Sequence, residues 1–234
     1  MKKLSELQEA INKPIPIGEI LKTLNKAKKH IIVRPLNRDK IASIIEDALN
    51  TKWDIVISSD EHKNVEQGDM NINAFYNFVA DEVDETAIEL VLMFSPEDKE
   101  LTIGEDGWSA MSSRLADAIQ HEMHHQIQYR NRGFRLQRKF TRFNTEVEAI
   151  MKGQEYLGND DEIEAFALNI ANELVRSQGG KKEAIQALKT VNKKNVLKMS
   201  VNLFSYMTVF GFDMRHTVIK KLFKKIVLFI NSST

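Results

Sequence analysis

Apolar residues recur along this chain with two periods, and the change from one to the other divides it. Ile31, Ile32 and Val33 read as a short strand. After Pro35, Ile41, Ile44, Ile45 and Leu49 recur at helical spacing and predict a helix over 38–49. Residues 54–58 read as a second strand and 71–79 as a weaker one. Residues 87–94 alternate cleanly, with Ile88, Leu90, Leu92 and Phe94 on one face. The polar run 96–99 then predicts a turn into Leu101-Thr102-Ile103, so a hairpin is expected. Pro14 and Pro16 make 13–18 extended or turn-like, because a residue before proline avoids the helical region.

From Gly107 onward the period is helical. Helices are expected at 109–129, 146–156, 161–177, 182–190, 196–210 and 216–230, with Asp106 or Ser109 capping the first and Gly179-Gly180 separating two others. The fold class is therefore α+β. One domain spans 1–234, mixed strand and helix over 1–108 and helical over 109–234.

Composition narrows the chemistry. The chain has 234 residues, enough for a real core. Lys plus Arg is 33 and Asp plus Glu is 33, so no net field draws it to nucleic acid or membrane. There is no cysteine, which leaves only His, Asp and Glu as strong metal ligands. Met1–Glu6 has a basic start without an apolar stretch behind it, so no secretory leader is expected and an intracellular, cytoplasmic setting is. No apolar run approaches a membrane span.

The helix at 109–129 contains His121-Glu122-Met123-His124-His125, a His-Glu-x-x-His sequence. Residues four apart lie one above the other on a helix. His121 and His125 can therefore offer ring nitrogens to one cation at about 2.0–2.1 Å. Glu122, one step round, does not ligate but can act as general base on a metal-activated water. His124 points about a hundred degrees away from His125, behind the ligands or on the surface. A catalytic zinc needs a third protein ligand. The acidic run after Tyr156 offers candidates. Asp160 and Asp161 complement a helix dipole, whereas Glu162 and Glu164 flank the apolar stripe Ile163, Phe166, Ala167, Ile170 and Leu174.

His-Glu-x-x-His followed on a later helix by Glu162-Ile163-Glu164-Ala165 resembles the gluzincin branch of zinc metallopeptidases. With Gln128-Tyr129 and Tyr156-Leu157 it is also similar to small phage-encoded proteins of metallopeptidase type. The resemblance covers residues 88–175. It implies a zincin-like fold: a small N-terminal sheet with its hairpin over the active-site helix, and a helical C-terminal lobe. It implies one Zn2+ ion on His121, His125 and Glu162, with Glu164 as runner-up, and Glu122 as the base in peptide-bond hydrolysis. His216, as a downstream histidine, and Tyr156, just before the acidic motif, are the candidates for steadying the oxyanion. The peptide or protein substrate is expected along the edge of strand 87–94 by strand addition. A viral protein in a host cell is one setting the resemblance allows.

Two further patterns have ordinary explanations. Arg130, Arg132, Arg135, Arg138, Lys139 and Arg142 alternate with Phe134, Phe140 and Phe143, which could serve nucleic acid; with zero net charge a solvated face is preferred. Lys220, Lys221, Lys224 and Lys225 oppose an apolar face that is expected to pack on its own domain rather than a membrane. The competing classes are a non-catalytic phage, virion or partner-binding protein with a structural or degenerate metal site, and a nucleic-acid-associated metalloprotease.

Overall fold

The structure, a computed structural model, describes residues 15–232. Met1–Glu6 and the Lys13-Pro14 part of the expected extended segment lie outside the described residues. The chain forms two compact units, the first ending at Phe134 and the second starting at Arg135. The boundary between the units comes after the long central helix.

The first unit contains α1 (Ile17–Ile31), α2 (Arg38–Leu49), β1 (Ile55–Glu61), β2 (Met70–Tyr76), α3 (Phe78–Glu82), β3 (Ile88–Phe94) and α4 (Glu105–Asn131). In α1, Ile20, Leu24, Ala27 and Ile31 recur at helical spacing and are buried. Lys28, Lys29 and His30 in its last turn complement the negative end of the helix dipole. The strand expected at 31–33 is therefore absent. Ile31 closes the apolar stripe of a helix, Ile32 caps it, and Val33 is exposed.

The three strands form one sheet in the order β1-β3-β2. β3 runs parallel to β1, with Ile55 opposite Ile88, and antiparallel to β2, with Met70 opposite Phe94. Its alternating Ile88, Leu90, Leu92 and Phe94 join Ile55, Ile57 and the α1, α2 and α4 stripes in one core. This central position overturns two expectations. Leu101–Ile103 cannot form a hairpin with β3, because both of its sides are already paired; Leu101 instead makes a single antiparallel bridge to Leu36. Strand 87–94 also has no free edge for a substrate peptide. The sheet's edges are β1 and β2.

The second unit is helical: α5 (Glu148–Leu157), α6 (Asp160–Gln178), α7 (Lys181–Lys189), α8 (Val196–Met199), α9 (Val201–Val209) and α10 (Thr217–Ser232). Its own core gathers Ile163, Ile170 and Leu174 of α6 with Leu222, Ile226 and Phe229 of α10 and Leu203 of α9. The apolar face of α10 is thus used inside its unit. Gly179, at φ 82°, ends α6 in the left-handed region that glycine reaches without strain. The single helix expected over 196–210 is broken at Ser200, which is extended at φ −161° and ψ 125°. Ser200 Oγ accepts from Leu203 N–H at 2.9 Å and donates to Glu173, so the serine starts a new helix. The whole is α+β, with a small sheet and a helical C-terminal region. Among the described residues no helix is long and apolar enough to cross a membrane.

Candidate metal centre

Helix α4 begins at Gly104 with no side-chain cap, so neither Asp106 nor Ser109 takes the capping role; Glu105 and Asp106 sit in its first turn. Trp108, Met111, Leu115, Ile119 and Met123 form the stripe that fastens it to the first unit's core. Past that stripe the burial pattern changes. All six residues from Gln120 to His125 are buried, and five of them are polar. Burying polar groups is unfavourable unless they are given partners. Such a concentration within two helical turns makes this stretch the candidate site.

The i,i+4 spacing brings the two expected ligands together. His121 Nε2 and His125 Nε2 stand 3.1 Å apart. Two nitrogens on one tetrahedral ion with bonds of about 2.0–2.1 Å are separated by about 3.3 Å, so the pair is spaced as two ligands of one cation. His125 Nδ1 is hydrogen-bonded to Gln128 Oε1 at 2.9 Å. Because an amide oxygen only accepts, Nδ1 carries the proton and Nε2 presents its lone pair, the tautomer a metal requires. Glu122 is 8% exposed and His124 is 1% exposed, so the histidine is interior and not on the surface.

Helix phase separates the two candidate carboxylates. Asp160 and Glu164, four apart, pair with Lys221 and Lys225, four apart on α10, the second pair at 3.1 Å. Glu162 is two residues from each and so lies about 200° round α6 from both. The carboxylate of Glu164 is taken by an ion pair with Lys225, and Glu162 is on the other side of the helix.

Edge strand β2 is fixed to α4 at both ends. Arg114 donates through Nη1 to Met70 O at 2.9 Å. At the other end Asp81, 5% exposed, accepts from Tyr76 Oη, Gln126 Nε2 and both Nε and Nη2 of Arg130. From Arg114 to Arg130 the helix rises about 24 Å, and from Met70 to Tyr76 the strand covers about 20 Å. The middle of β2 therefore passes beside the turns that carry His121 and His125.

The other two expected residues lie elsewhere in their helices. Tyr156 is half exposed at the end of α5, its ring edge-on to Phe166 at 6.2 Å. His216 is half-buried before α10, with its ring against Phe210 at 4.6 Å, and its Nδ1 accepts from Val218 N–H at 3.2 Å. Burial pushes its pKa down, with Asp213 opposing. Of the basic stretch, Arg130 belongs to α4, and the residues from Arg135 to Arg142 lie on irregular backbone. Two residues received no role from the sequence. Gln128 stands three after His125, a spacing that signals contact on a helix. Tyr206 is fully buried with a hydroxyl that has no hydrogen-bond partner.

Comparison with protein-family models, curated proteins and solved structures returned no match.

Proposed function

We propose that this protein is a zinc-dependent hydrolase that cleaves peptide bonds, with His121, His125 and Glu162 as ligands and Glu122 as general base. The observation that carries this is the buried histidine pair of the His-Glu-x-x-His helix, with Nε2 atoms 3.1 Å apart and His125 held by Gln128; Glu162 is taken as third ligand from the motif that follows. Zinc, when bound, supplies a Lewis acid for the scissile carbonyl and makes water more acidic. Glu122 accepts a proton from the attacking water and delivers it to the departing amine, so the carboxylate is regenerated each cycle. Gln128 keeps His125 in its ligating tautomer. The exposed edge of β2, running beside the histidines, offers main-chain hydrogen bonds to an extended peptide. Tyr156 and His216 are retained only as candidates for steadying the oxyanion.

Zinc content and peptide cleavage of the wild type and Glu122→Gln test this. The wild type is expected to hold one zinc per chain and to cleave. The variant should keep the metal and lose roughly 10²–10⁴-fold in turnover. A wild-type chain that takes up no metal on reconstitution sinks the proposal.

The charge distribution favours one elaboration, a metalloprotease acting on substrates associated with nucleic acid. Residues 13–134 carry 14 basic and 21 acidic side chains, net −7, whereas residues 135–234 carry 17 and 10, net +7. Zero net charge therefore conceals a basic helical unit. Within it, Lys182, Lys189 and Lys198 line a groove of about 870 Å³. Binding to single- and double-stranded DNA, steep in salt, is expected on this elaboration; no binding at low salt removes it and leaves the hydrolase.

A further inference from the structure

Tyr206 has a side chain that is 0% exposed, and its hydroxyl has no hydrogen-bond partner. A buried hydroxyl without a partner destabilises a fold, and native structures keep few of them. Its surroundings show what it is near. The ring packs edge-on against Phe166 at 5.5 Å and stacks on Phe210 at 6.3 Å. Phe166 is four residues after Glu162, on the same face of α6 and one turn along. That is the face opposite the one carrying the Asp160–Lys221 and Glu164–Lys225 pairs. Tyr156 meets the same phenylalanine from α5. Glu162 is the leading charge that bears on the Tyr206 hydroxyl, after burial itself. Aromatic rings thus gather on the Glu162 side of α6, and the Tyr206 hydroxyl among them has no protein partner.

We propose that Tyr206 is a positioning residue for Glu162, its hydroxyl donating to the carboxylate when the carboxylate serves as a metal ligand. This rests on the zinc-ligand reading above. The hydrogen bond would fix which carboxylate oxygen faces the ion and hold the side chain in one rotamer. Carboxylate ligands are regularly oriented in this way, and losing the orienting partner costs 10–100-fold in metal affinity. In the metal-free chain the hydroxyl does no work and is merely buried.

The test is zinc affinity of the full chain, by competition with a chromophoric chelator, together with thermal unfolding of the metal-free form. Tyr206→Phe is expected to bind zinc at least 10-fold more weakly while its metal-free form melts no lower than wild type. Phenylalanine keeps the packing, so folding is preserved. In a Glu162→Ala background, Tyr206→Phe should weaken affinity no further, because no side-chain acceptor remains. Equal zinc affinity in wild type and Tyr206→Phe overturns the role of Tyr206 and leaves the metal site standing. An additional loss in the Glu162→Ala background assigns the effect to general packing and also overturns it. Absence of zinc binding by the wild type overturns both readings together.

Discussion

His125 shows how much a single neighbour decides. An imidazole can put its proton on either nitrogen, and the hydrogen bond to Gln128 selects the form in which Nε2 faces His121. Gln128→Leu keeps the volume but removes the acceptor. It is expected to weaken zinc binding by roughly 10–100-fold, with helix content unchanged by circular dichroism; undiminished affinity would show that His125 needs no such support. The closeness of the two histidines was legible because a spacing of four on a helix sets it. That Glu164 takes an ion pair was not legible, because it depends on α10 offering lysines to one face of α6. Tyr206 was hidden altogether, since a tyrosine in an apolar run looks like core until its hydroxyl is found without a partner.

Elements are held in place by a few polar clamps. Asp81 joins α3, β2 and α4, and all its acceptor capacity is used. Burial opposes its ionisation, but the hydrogen bonds from Arg130, Tyr76 and Gln126 outweigh this and hold its carboxyl below the ordinary range. A carboxyl whose folded pKa is depressed adds stability above the unfolded value, about 3.9, and that stability is lost as pH falls through the folded value. Wild type is therefore expected to lose Tm steeply in acid below that point. Asp81→Asn should start lower at neutral pH and fall less over the same interval; parallel curves would discount the clamp. Close approach acts in the same way at the end of α5. A Cβ on Gly158 would stand 2.4 Å from the Phe140 ring and 2.5 Å from Gln154 O. Gly158→Ala should destabilise by about 1–3 kcal/mol, read by chemical denaturation. The elements themselves were largely readable from periodicity. The missing strand at 31–33 and the missing hairpin share one cause: three adjacent apolar residues, or a turn between two apolar runs, do not specify a partner, and the partners were set by α1 and by the two strands flanking β3.

At the scale of the molecule, two cores lie on either side of residue 134. Between α4 and α5 the backbone from 135 to 147 forms no helix or strand, and Arg138 and Arg142 are exposed on it. Brief trypsin treatment is expected to cut there first and to yield two resistant fragments; earlier cuts inside either unit would count against two separate cores. The opposite charges of the halves could have been counted from the sequence, but only a boundary at 134 says where to divide the count. The sheet order also has a consequence for how the chain is made. Among the described residues β3 is the last strand in the chain and the one that both other strands pair with. Until residue 94 emerges from the ribosome, β1 and β2 have no ladder to join. The sheet of the first unit thus closes late in synthesis, when a single strand arrives between two that were already there.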